Sequence, residues 1–225
     1  MIRNDTSDFG YSGVSSRAAQ AAERRTARQR KVAEDEIDRL LGITLELIES
    51  SAPAMPSVSE IVAAAGISNQ TLYRSFPSKD DLMLAVLEQG VFRVAEAVAE
   101  RMARTTDPQQ QVVEWVRGVL RQVSHGDAAK TSRSVLGHLG RAGVSNGKGG
   151  QAELLAPIAD LLLGPLAELG EGRTESVDCI SDLVFGAMRR YLWSGVGPER
   201  LEVDRVSGFV LGGLGLTASE GGAHA

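Results

Sequence analysis

Within NQTLYR, from Asn69 to Arg74, the chain brings together amides, hydroxyls and a guanidinium, the groups that read base edges and hold phosphates. An amide side chain can bond an adenine edge, an arginine suits guanine or a phosphate, and hydroxyls suit phosphate oxygens. Such groups work together only if one rigid surface presents them. The flanking residues supply it: Leu72 and Phe76, four apart, form an apolar face and leave Asn69, Gln70, Thr71, Tyr73 and Arg74 outward, while Ser68 stands where an N-cap belongs. Upstream, Ser57 followed by Glu60 is a capping-box start for a helix with Val58, Ile61, Val62 and Ala65 inward, and Gly66 allows a sharp exit. Two short helices joined by a tight turn are the shape that lays a helix in the major groove of DNA. A plain helical hairpin would need only the apolar spacing and leaves the outer polar set without a reason.

The run Ala65-Gly66-Ile67-Ser68, then Thr71-Leu72-Tyr73, Phe76 and Ser78-Lys79-Asp80-Asp81-Leu82 resembles the DNA-binding domain of the tetracycline-repressor (TetR) family of bacterial transcription regulators. The resemblance covers residues 35–95, with Leu40, Leu41, Leu45, Leu47 and Ile48 where the family's first helix buries its core side. The chain departs from the pattern at Ala52, where the family usually has Gly, and in the proline-rich connection from Pro53 to Pro56. The resemblance implies base contacts from Asn69, Gln70 and Arg74, and phosphate contacts from Ser57, Ser59, Thr71, Tyr73 and Lys79. It also implies a ligand cavity among the later helices, which Phe92, Met102, Trp115, His125, His138 and Trp193 could line. The expected partners are a double-stranded, palindromic DNA operator and a small, mainly apolar effector that releases it.

The helices that would carry these groups can be drawn along the chain. Residues 1–29 are expected to be a flexible basic arm, whose later half can become helical or simply lengthen the next helix. Residues 30–80 would form a three-helix helix-turn-helix domain, residues 81–217 a helical ligand-binding and dimerisation domain, and residues 218–225 a flexible tail. The fold class is all-α, with about nine helices. Asp107 and Pro108 open the fifth as cap and first-turn proline, the seventh spans about 152–169, and Gly143 to Gly150 reads as a loop. The last two helices are expected to make the homodimer. Their small residues Ala187, Gly208 and Gly212 would let backbones approach, with Leu183, Val184 and Phe209 filling between.

Composition narrows the function classes. The chain of 225 residues has a net charge of −5, but Arg17 to Lys31 holds Arg17, Arg24, Arg25, Arg28, Arg30 and Lys31 against Glu23 alone. Phosphate affinity depends on local charge, so this segment can act although the protein is acidic. A single cysteine, Cys179, fits a reducing cytoplasm and reads as a buried apolar side chain. No membrane span or signal segment is legible. No hydrolase, zinc-protease or phosphate-loop motif occurs, and the histidines and the cysteine have no metal-ligand spacing, so neither an enzyme nor a bound cofactor is expected. Two rivals remain: a ligand-independent architectural DNA-binding protein of the same fold, and a helical small-molecule-binding protein without DNA binding.

Overall fold

The computed structural model describes residues 16–52, 54–124, 126–141 and 148–216, and every regular element among them is helical. By its contacts the chain divides into two compact units, Met1–Leu40 and Leu41–Ala225.

The first unit is described from the start of α1 (Ser16–Ser51) onward. The later half of the arm expected at residues 1–29 is helical from Ser16 and lengthens the first helix, as the sequence allows. Ala18, Ala19, Ala21, Ala22 and Ala27 are the physical reason, since alanine loses least on entering a helix and no Gly or Pro interrupts them. Residues 1–15 of the expected arm, and residues 217–225 with the expected tail at 218–225, lie outside the described residues.

The second unit takes α1 to its end and continues through α2 (Val58–Ala65), α3 (Asn69–Ser75), α4 (Lys79–Met102), α5 (Pro108–Ser124) and α6 (Gly126–Arg141). Then come α7 (Lys148–Ala159), a 3₁₀ turn (Asp160–Leu162), α8 (Leu163–Glu168), α9 (Thr174–Ser194) and α10 (Arg200–Gly213). The predicted seventh helix thus arrives in pieces. Pro157 and Pro165 lack the N–H that would bond one turn back, and the tighter turn sits between them. Counted as one bent rod, that stretch leaves the nine expected helices among the described residues. Lys148 to Gly150, expected in a loop, form the first turn of α7, and residues 142–147 lie outside the described residues.

The core is built around α5, which packs against α4, α6, α8, α9 and α10. Val112, Trp115, Val116, Val119 and Leu120 are wholly buried on it, together with Val98, Leu162, Leu166 and Val184 from its neighbours. Gly118 lets α4 come close: a Cβ there would lie 2.9 Å from the Val98 side chain. The predicted wall residues Met102 and Trp115 belong to this packed core, and the Trp115 indole N–H donates to the Ile158 carbonyl at 2.7 Å. Polar ties join the outer rims. Arg101 donates to Glu114 at 2.6 Å, and Arg117 reaches both Glu114 at 3.1 Å and Asp204 of α10 at 3.2 Å. Burial pushes the Glu114 carboxyl up, but the two guanidiniums more than offset it and hold it below the usual carboxylate value.

Candidate nucleic-acid interface

The reading segment is held by local hydrogen bonds that its sequence dictates. Ser57 caps α2: its hydroxyl accepts from the Glu60 N–H at 3.2 Å, and the Glu60 carboxylate accepts from the Ser57 N–H at 2.7 Å. These bonds from Ser57, backbone first, hold the Glu60 carboxyl below its ordinary range, with a smaller pull from Lys79. The helix ends at Gly66, whose φ of +66° is a left-handed geometry that a side chain disfavours, and the Ile67 N–H closes back on Val62 at 3.1 Å. Ser68 then caps α3, its hydroxyl accepting from the Thr71 N–H at 3.1 Å.

This framing fixes which side chains face outward. In α3, Leu72 is wholly buried, whereas Asn69, Gln70, Tyr73 and Arg74 are exposed together. Ile61 and Ala65 are buried on α2, and α2 packs against α3, so the two short helices form one unit behind the exposed set. The sequence-predicted base-reading trio, Asn69, Gln70 and Arg74, therefore shares one open helical surface. Of the predicted phosphate contacts, Ser59 and Tyr73 are exposed and Lys79 is half-buried at the start of α4. Ser57 and Thr71 are already engaged, Ser57 with Glu60 and the Thr71 hydroxyl with Ser68 at 3.0 Å, so a phosphate would share them with a cap.

The six predicted pocket residues are not brought together. Met102 and Trp115 are packed core, while Phe92 and Trp193 are 58% and 57% exposed. His125 lies outside the described residues. His138, on α6, places Nε2 2.8 Å from Asp80 Oδ1 in the first turn of α4. Spacing gives no hint of that bond, because its partners stand far apart in sequence. A groove of about 740 Å³ lies elsewhere, along α9 and α10, with Cys179, Leu183, Phe209 and Gly213 among its walls. Cys179 is thus exposed and not buried, because α9 turns Val177 and Ile180 inward on either side of it.

The predicted dimer residues divide in the same way. Val184 and Ala187 are buried within the subunit, whereas Leu183 and Phe209 are 47% and 75% exposed. A Cβ added at Gly208 or Gly212 meets nothing within 4 Å. No described helix is long and apolar enough to cross a membrane, and no described cluster of His, Cys, Asp and Glu is placed to hold a metal.

Residues 41–86 match the model of a family described as bacterial regulatory proteins, tetR family. Two Mycobacterium tuberculosis proteins, each described as an uncharacterized HTH-type transcriptional regulator, are 26% identical over 129 residues. That alignment covers 57% of this chain and 62% of each relative, so it spans less than two thirds of the relatives' length. Among solved structures, RolR in complex with resorcinol superposes with a TM-score of 0.59 at 18% identity, covering 85% of this chain and 93% of the other. The fatty acid degradation regulator FadR from Bacillus halodurans gives 0.56 at 19% identity, covering 80% and 96%. The resemblance read from Ala65 to Leu82 is upheld: residues 41–86 match the tetR-family model, and the all-helical fold is similar to that of a putative TetR-family transcriptional regulator from Mesorhizobium loti, with a TM-score of 0.56 at 16% identity, covering 80% of this chain and 95% of the other.

Proposed function

We propose, taking the tetR-family segment at residues 41–86 as premise, that this chain is a homodimeric repressor that binds a palindromic DNA operator and is released by a small, mainly apolar effector. The observation that carries the reading is the exposed set Asn69, Gln70, Tyr73 and Arg74 on α3, behind which the helix is anchored by Leu72. Packing gives no reason to gather two amides and a guanidinium there, and base recognition does. Asn69, Gln70 and Arg74 touch base edges. Ser59, Tyr73 and Lys79 hold phosphates, with Ser57 and Thr71 contributing from their caps.

Release would act through α4. The Asp80–His138 bond joins α6 to the first turn of that helix, beside Lys79, so a shift of α6 is felt where the backbone contacts begin. An effector that binds the shifted arrangement more tightly than the DNA-competent one moves the population toward release. The mainly Val, Leu and Ala lining of the core supports an apolar guest, and RolR, a protein of similar fold, has been solved with resorcinol. The packing of Trp115 favours a second reading, ligand-independent DNA binding, because a side chain expected to line a cavity is wholly buried and hydrogen-bonded.

Selection of bound duplexes from a random pool tests the DNA reading. A palindromic consensus with steep salt dependence is expected; no enriched sequence and no salt-dependent binding would reject it. Screening fatty, aromatic and terpenoid compounds then separates the two regulatory readings. One that raises Tm and frees the selected duplex supports the effector.

A further inference from the structure

The N-terminal half of α1 has no packing to account for its order. Arg17 to Arg39 are exposed apart from the half-buried Ala19, and helices in folded proteins owe most of their stability to a buried face. A helix polar all round needs side-chain pairs or a partner. The ion pairs Arg30–Glu34 and Lys31–Asp35 along it, at 2.7 and 3.9 Å, are exposed, and exposed pairs of this spacing contribute only tenths of a kcal/mol.

The charges are arranged and not scattered. At 3.6 residues per turn, Arg17, Arg24, Arg28 and Lys31 fall within about 60° of one another, a stripe about 21 Å long, with Arg25 at its flank. The sign then reverses sharply: Glu34, Asp35, Glu36 and Asp38 follow, and any polyanion lying along the helix must stop short of them. A membrane surface does not suit this segment, because it lacks an apolar face. A coiled coil with a second copy does not suit it either, since Val32 and Ile37 are its only large exposed apolar side chains. Duplex DNA does: over about 21 Å of its axis one strand presents about six phosphates, enough to partner the four cations of the stripe.

We propose that residues 17–31 form a DNA-docking helix, whose stripe of Arg17, Arg24, Arg28 and Lys31 lies along the phosphate backbone, which steadies a helix that alanine propensity alone supports. It adds affinity without adding base preference. The inference rests on the DNA-binding reading above and goes beyond it by assigning a second, sequence-blind contact surface.

The test uses the full chain, a duplex selected by the wild-type protein from a random pool, and a scrambled duplex of equal length. The combined variant Arg17→Gln, Arg24→Gln, Arg28→Gln and Lys31→Gln should flatten the slope of log affinity against log salt by about 0.9 for each phosphate no longer neutralised, or roughly 3 to 4 in all. It should do so on both duplexes and leave the preferred sequence unchanged. Arg30→Gln, on another face of the same helix, should leave the slope as it was. Adding DNA should raise the helical circular dichroism of the wild type more than that of the combined variant, with equal thermal unfolding of the two free proteins checking that both fold. An unaltered slope in the combined variant, an equal effect of Arg30→Gln per charge, or an altered sequence preference would overturn the docking helix while the selected operator stands. Absence of salt-dependent binding by the wild type would instead overturn the DNA reading and this inference with it.

Discussion

A side chain that reads a base and one that holds a phosphate fail differently when removed, and on the proposed reading α3 carries the first kind and α4 the second. Gln70→Ala or Arg74→Ala should cost about 1–3 kcal/mol at the affected base pairs and broaden the selected sequence there. Lys79→Ala should weaken all duplexes alike, since a phosphate contact carries no sequence information. Competition binding against single-base variants of the selected operator distinguishes them, and unchanged profiles for Gln70→Ala and Arg74→Ala would remove α3 from the reading role. Gly66 makes a separate point about the turn behind that helix. Its φ is +66° and a Cβ there meets nothing within 4 Å, so Gly66→Ala should destabilise through backbone geometry alone, by about 1–2 kcal/mol in urea unfolding. Gly66→Asn should recover much of that loss, because asparagine tolerates the left-handed region.

Between helices, the same logic applies to charge. Glu114 bonds Arg101 of α4 and Arg117 of its own helix, which in turn reaches Asp204 of α10. Its carboxyl is held below the ordinary value of 4.5, so the stabilisation is complete above that value and is lost as pH falls through the lower, folded value. Glu114→Gln should therefore cost about 1–3 kcal/mol near neutral pH and flatten the acid limb of the stability curve below pH 4.5, read by denaturation across pH. An acid limb identical to wild type would mean the tie contributes nothing. Such pairs also mark where the sequence stops being readable. The caps at Ser57 and Ser68, the exit at Gly66 and the outward set on α3 are legible because each depends on neighbours within four residues. The Asp80–His138 and Arg117–Asp204 bonds join residues brought together only by the fold, and no local pattern announces them. Intermediate cases fail for intermediate reasons. Residue size assigns Val184 and Ala187 to a dimer surface, yet which side of α9 faces α5 is set by tertiary packing, and both turn inward.

At the scale of the molecule, α9 and α10 leave an apolar face uncovered. Leu183 and Phe209 are large apolar side chains exposed beside a groove of about 740 Å³, on helices whose opposite sides already pack on α5. A single reading helix spans few base pairs, and two set one DNA turn apart, about 34 Å, gain affinity from a palindrome. A second copy seated on this face would pair two reading helices and cover the apolar surface at once. Because a Cβ at Gly208 or Gly212 meets nothing within 4 Å inside the subunit, Gly208→Leu and Gly212→Leu should leave the monomer fold intact and act only on assembly. Phe209→Asp should do the same by placing a charge in the middle of the contact. Sedimentation should then report single chains. Binding to the full selected palindrome should fall steeply, whereas binding to an isolated half-site should be unchanged. A stable dimer with wild-type affinity in all three variants would move the interface elsewhere on the molecule, and equal losses on the half-site and the palindrome would show that the substitutions damage the reading unit instead of the pairing.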